Sequence, residues 1–156
     1  MNKFLFISIV IMLSSFILVS QSFAIEENSP RLFGIGSSVN QKDSGLYEVK
    51  TNGKQMEEGI VFTPKEEFFG GENVHYQVTL KGKGNVILKI EETDPRGKFI
   101  HENRSSEIPL KNSWETYYLP VKLSKESTQL DVFVLTSKKE KIDFQMKSIN
   151  IKKRMP

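Results

Sequence analysis

The sequence predicts an all-β protein, an antiparallel β-sandwich or jelly roll of about eight strands, preceded by a cleaved signal peptide. Three observations predict it. From Gly34 onward apolar residues recur with period two, and no window sustains the stripe of an amphipathic helix. Gly, Pro, Asn and Asp punctuate these blocks at spacings of roughly 8 to 15 residues. The 156 residues contain no cysteine, so a core of this size has to hold by packing alone.

The first element is the leader. Met1 to Lys3 is a short basic start, Phe4 to Val19 is apolar apart from Ser8, Ser14 and Ser15, and Ser22-Phe23-Ala24 places small residues where a signal peptidase cuts. Residues 1–24 are therefore read as a signal peptide, 25–45 as a partly extended N-terminal segment, 46–152 as the sandwich and 153–156 as a basic tail. No second apolar run follows, so the expected product is secreted and extracellular, with no membrane span after processing.

The strands come next. Gly45 to Val49 and Gly59 to Phe62 are short candidates. Asn73 to Lys81 alternates strictly, with Val74, Tyr76, Val78 and Leu80 on one face. A Gly-punctuated turn over residues 81–85 leads to Val86, Leu88 and Ile90, and the pair reads as a β-hairpin. Asp94-Pro95-Arg96-Gly97 fits a type I turn before Lys98 to His101. In Trp114 to Leu123 the residues Tyr117, Leu119, Val121 and Leu123 share one parity, and Thr116, Tyr118 and Lys122 the other. Pro120 cannot donate a ladder hydrogen bond, which predicts an edge strand or an interruption. Gln129 to Thr136 turns Leu130, Val132 and Val134 inward. In the last block Phe144 and Met146 have one parity and Ile149 and Ile151 the opposite, so a one-residue bulge is predicted between them.

Composition excludes several functions. The net charge is +3 with both signs interleaved, which does not make the basic stripe of a nucleic-acid binder. Without cysteine there is no thiolate zinc site, thiol nucleophile or iron–sulfur cluster. His75 and His101 lack metal-binding or triad spacing. Glu57-Glu58, Glu66-Glu67 and Glu91-Glu92 are carboxylate pairs, but strand neighbours such as Glu91 and Glu92 point to opposite faces and cannot flank one glycosidic bond. No catalytic residue, metal or cofactor is therefore assigned. Asn103-Arg104-Ser105 matches the N-glycosylation pattern, and Lys152-Lys153-Arg154 is either a solvated tail or a weak attractor of anionic surfaces.

The order of blocks resembles the galactose-binding-like β-jelly-roll carbohydrate-binding modules of secreted xylanases and other glycoside hydrolases. The resemblance rests on Tyr76-Gln77-Val78-Thr79-Leu80-Lys81-Gly82, on Trp114-Glu115-Thr116-Tyr117, on Ser127-Thr128-Gln129-Leu130-Asp131-Val132 and on Phe144-Gln145-Met146-Lys147-Ser148-Ile149-Asn150-Ile151. It covers Leu46 to Ile151. It implies a jelly roll, a polysaccharide or cell-wall glycan as partner, and a Trp114 packed into the sandwich. Where the family has an acidic pair that helps to hold a structural calcium, this chain has Lys147 and Ser148, and an ammonium is no ligand for a hard cation.

A sugar site needs flat apolar surface for the C–H faces of pyranose rings and polar groups for the hydroxyl rim. Outward residues of the long strands supply both: Tyr118, Gln77, Thr79, Lys89 and Glu91, with Phe133 as a second aromatic platform. If their strands are neighbours in one sheet, these residues line one binding face. Phe68-Phe69-Gly70-Gly71 is read as a loop in which one ring caps the core and the other is exposed. The sequence thus supports a non-catalytic glycan- or cell-surface-binding module. It also leaves open a secreted interaction or matrix protein without sugar affinity and, more distantly, a small glycoside-acting enzyme.

Overall fold

The structure is a computed structural model that describes residues 31–43 and 45–153. The leader and the last three residues of the basic tail lie outside the described residues. Among the described residues there are eleven strands and no helix: β1 (Arg31–Ile35), β2 (Ser37–Asp43), β3 (Leu46–Thr51), β4 (Gly59–Thr63), β5 (Asn73–Gly82), β6 (Asn85–Thr93), β7 (Phe99–Arg104), β8 (Ile108–Pro109), β9 (Glu115–Lys122), β10 (Gln129–Thr136) and β11 (Asp143–Lys153). They form two antiparallel sheets packed face to face. The first runs β1-β4-β10-β6-β7, with β8 also on β6, and the second runs β2-β3-β11-β5-β9.

The core forms where the inward parities meet. Val74, Tyr76, Val78 and Leu80 of β5 face Leu88 and Ile90 of β6 across the sandwich, all fully buried. Each such side chain withdrawn from water is worth about 1.5–3 kcal/mol, which is the force that holds two uncrosslinked sheets together. The Tyr76 hydroxyl donates to the Phe133 carbonyl at 3.3 Å, and burial pushes its pKa well above the ordinary value.

Several expectations hold in detail. β9 is an edge strand, and Pro120 sits on its solvent side. In β11 the register against β5 shifts between Lys147 and Asn150, and Ser148 takes the left-handed conformation (φ 54°). Phe144, Met146 and Ile151 are consequently buried, and Ile149 packs against the same core. At residues 94–97 the Gly97 N–H donates to the Asp94 carbonyl at 2.9 Å, closing the turn.

Two expectations are corrected. The strand count is eleven rather than about eight, because β1 and β2 extend the edges of the sheets and β8 is a two-residue addition. The pair β5 and β6 is not a hairpin: β5 lies between β11 and β9, while β6 lies between β10 and β7. A hairpin and an arch between sheets put the same parities on the core, so alternation does not separate them. The backbone does. Gly84 has φ 103°, and a Cβ there would lie 2.4 Å from Cγ2 of Ile142, so the chain can change sheets at that point only without a side chain.

Candidate functional site

The change of sheet at Gly84 divides the six residues singled out in the sequence. Gln77 and Thr79 on β5 and Tyr118 on β9 share the outer face of the second sheet. Lys89 and Glu91 on β6 and Phe133 on β10 point outward from the first sheet, on the opposite side of the molecule. The single binding face expected from all six is therefore corrected to two faces with different chemistry.

The face carrying Lys89 is closed. Phe133 is 6% exposed and packs with Ile87 and Leu135 into a second apolar cluster, and Lys89 is 5% exposed. The Lys89 ammonium lies 4.4 Å from the Phe133 ring centroid and pairs with Glu91 at 2.6 Å and Glu57 at 3.4 Å. Arg104 binds Glu57 and Glu102. Glu57 comes from the loop between β3 and β4, so this network ties that loop across the sheet. Burial raises the Glu57 pKa, but the Arg104 and Lys89 charges outweigh it and the net shift is downward. Arg104 chiefly holds Glu102 low as well. The next residue, Glu58, accepts N–H bonds from Gly53, Lys54 and Gln55 and anchors the same loop. Both cations of this group, Lys89 and Arg104, are paired with carboxylates inside it. The group is a structural clamp, in which Lys89 and Phe133 are buried while the Glu91 side chain keeps 29% of its surface exposed.

The other face is open and mixed. Register sets Tyr118 opposite Gln77 and Gln77 opposite Asn150, giving one row across β9, β5 and β11. The adjacent row is Thr116, Thr79 and Lys147, in which the two threonine hydroxyls lie 2.9 Å apart. Tyr118 is 57% exposed, whereas Thr79 is almost covered by its neighbours. Trp114 corrects the expectation of a core residue: it is half-buried and on the outside, with the Lys147 ammonium 4.4 Å and the Lys81 ammonium 5.9 Å from its ring centroid. Its even parity with Thr116 and Tyr118 was the available signal. Gln145, Asn150 and Lys81 were not singled out, and Lys147 only as a departure from an acidic pair, because polar residues on a strand look alike until their neighbours are known.

Beyond Trp114 the face deepens into a cleft of about 280 Å³, lined by Glu48, Lys50, Lys81, Asn112, Asp143 and Gln145 among others. Glu48 pairs with Lys42 at 3.1 Å and Asp143 with Lys50 at 3.6 Å. Hydrogen bonding to Lys42 is the main reason that the Glu48 carboxyl sits below the ordinary range. The face thus combines two aromatic surfaces with amide, hydroxyl, carboxylate and ammonium groups. A larger cleft of about 640 Å³ opens among the loops at one end of the sandwich. There Phe68 is buried and Phe69 is 62% exposed, the division read from the sequence.

At the β11 bulge, the place of the acidic pair in the resembling modules, the surroundings are Gly45, Tyr47, Phe62, Met146, Lys147, Ser148 and Ile149. A hard dication takes six to eight oxygen ligands, mostly carboxylates and carbonyls. Apolar side chains and an ammonium do not fit one, so no role is derived for calcium here.

No family model matches the chain, and no curated protein matches it. Solved structures do. The CBM22-1 and GH10 modules of a Clostridium thermocellum endo-1,4-β-D-xylanase, complexed with xylohexaose, align at TM-score 0.59 and 16% identity over 81% of this chain, which spans only 25% of that one. A variant of a family 29 carbohydrate-binding module complexed with cellulohexaose aligns at TM-score 0.59 and 13% identity, covering 81% of each chain. An exo-β-agarase aligns at TM-score 0.56 and 10% identity over 80% of this chain and 24% of its own. The two-sheet sandwich built above is the jelly-roll fold of the carbohydrate-binding modules among these structures.

Proposed function

We propose that this protein is a secreted, non-catalytic module that binds a polysaccharide or cell-wall glycan on the outer face of the β2-β3-β11-β5-β9 sheet. The observation that carries this reading is that Tyr118 of β9 and Trp114, the residue just before that strand, both lie outside the core of this sheet, with Gln77, Thr79 and Asn150 in register beside Tyr118 and Thr116 and with Lys81 and Lys147 against the indole. Four positions of extended chain put about 13 Å of backbone between the residues that carry the two rings, a span that suits a chain of sugars rather than a single one. The rings take the C–H faces and the amides and hydroxyls take the rim. Family 29 modules supply a parallel in extent, since the chain and the module each align over 81% of their length.

The test is a glycan array with polysaccharide pull-down, on the chain purified from a secreting host. Tyr118→Ala and Gln77→Ala are expected to weaken retention roughly tenfold, the size of one lost stacking or amide contact. Lys89→Ala, on the opposite face, is expected to leave binding of the folded protein unchanged. Retention of no glycan, or equal binding by both site variants, overturns the assignment.

A further inference from the structure

The charges on the proposed face are unbalanced in one direction. Of its three outward carboxylates, Glu48 and Asp143 are already taken by Lys42 and Lys50, which leaves Asp43, in the row of Leu46 and Lys147. Four further lysines, Lys81, Lys122, Lys147 and Lys152, have no ion-pair partner among the described residues. Register places them at both ends of the aromatic row. Lys81 lies opposite Gln145 and Lys147 opposite Thr79, beside Trp114. Lys122 lies opposite Asn73 and Lys152 opposite His75, beyond Tyr118.

The position of Lys147 sharpens the point. Its ammonium rests against the indole ring, where a sugar would stack. A neutral pyranose has to displace the ammonium and offers it only uncharged hydroxyl acceptors in return. A pyranose bearing an anionic group gives the displaced ammonium an ion-pair partner while its C–H face takes the ring. Lys81, on the same side chain at 5.9 Å, supplies a second cation to the same group.

We infer, on the basis of the glycan-binding reading above, that the ligand of this face is an anionic polysaccharide, one whose pyranose units carry carboxylates or sulfate esters. In this it departs from the structural neighbours, whose complexes contain xylohexaose and cellulohexaose. Because exposed charges are screened beyond about 8 Å at physiological ionic strength, binding is expected to weaken with added salt while the stacking part persists.

The experiment is affinity electrophoresis and calorimetry of the full chain with polygalacturonate, dextran sulfate, xylan and cellohexaose, with single-stranded DNA as a polyanion that is not a glycan. At least one anionic glycan is expected to bind tenfold or more tightly than the neutral ones, and their order identifies the anionic group. The double variant Lys81→Gln, Lys147→Gln is expected to lose at least tenfold on that glycan and little on the neutral ones, Lys147→Arg to retain it, and Trp114→Ala to weaken both. Equal or tighter binding of xylan, unaffected by the lysine variant, overturns the anionic specificity and leaves the glycan site standing. DNA binding as tight as glycan binding, indifferent to Trp114→Ala, overturns it in favour of an unspecific cationic surface. Failure to bind any glycan removes the underlying reading as well.

Discussion

Deleting Ser148 and deleting Gln145 remove one residue each from the same strand, three positions apart, and the bulge makes opposite predictions for them. Without Ser148 the strand reads Phe144 in, Gln145 out, Met146 in, Lys147 out, Ile149 in, Asn150 out and Ile151 in. Val78, which now faces the two residues between Lys147 and Asn150, would face Ile149 alone. The deletion also removes a non-glycine residue at φ 54°, a conformation that costs roughly 1–2 kcal/mol. Loss of Ser148 is therefore expected to change stability by no more than about 1 kcal/mol. Without Gln145, Phe144 and Met146 become neighbours and cannot both point inward. If Met146 keeps its place, Phe144, 2% exposed, turns to solvent and Asp143 turns toward the core. Evicting a buried aromatic costs about 3–5 kcal/mol, a large part of the roughly 5–15 kcal/mol that a domain of this size commands. Urea unfolding followed by far-ultraviolet circular dichroism measures both. Equal destabilisation by the two deletions would refute the register assignment.

Two further predictions concern the change of sheet and the clamp. Gly84→Ala is expected to cost about 1–3 kcal/mol from backbone strain alone, with added crowding from Ile142, and should lower the melting temperature; an unchanged melting temperature would refute the arch geometry. Glu57, Glu58 and Glu102 all titrate below their ordinary value of 4.5 in the folded chain, so their contribution is complete above about pH 4.5 and is lost as the pH falls through the lower native values. Thermal unfolding from pH 7 to pH 3 should show that loss, and Glu58→Gln should make it shallower; the same acid dependence in both proteins would exclude Glu58 as a source.

Parity relative to the core was legible in the sequence almost throughout, since period-two alternation is the direct imprint of a pleated strand with one wet face. It carried the bulge in β11, the edge position of Pro120, the buried Tyr76 and the outward Tyr118. Sheet membership was not legible. Outward means away from the core, and a sandwich has two such directions, so Lys89 and Phe133 were grouped with Tyr118 although they lie on the far side. The same ambiguity made an arch look like a hairpin. β1 and β2 escaped notice for a different reason: as edge strands they bury little, and Ser37–Asp43 brings only Val39 into contact with the core. Trp114 was placed inside because the resemblance implied it, against the parity of its own strand.

The position of β11 also bears on how the chain acquires its shape. It is the last of the described strands, yet it occupies the centre of its sheet, hydrogen-bonded to β3 on one side and β5 on the other. Until residues 143–153 have emerged, β3 and β5 have no shared neighbour, and the two halves of that sheet remain separate hairpin-like fragments. Closure then waits on contacts between segments roughly 60 to 100 positions apart, the kind that makes β-sandwiches slow to fold.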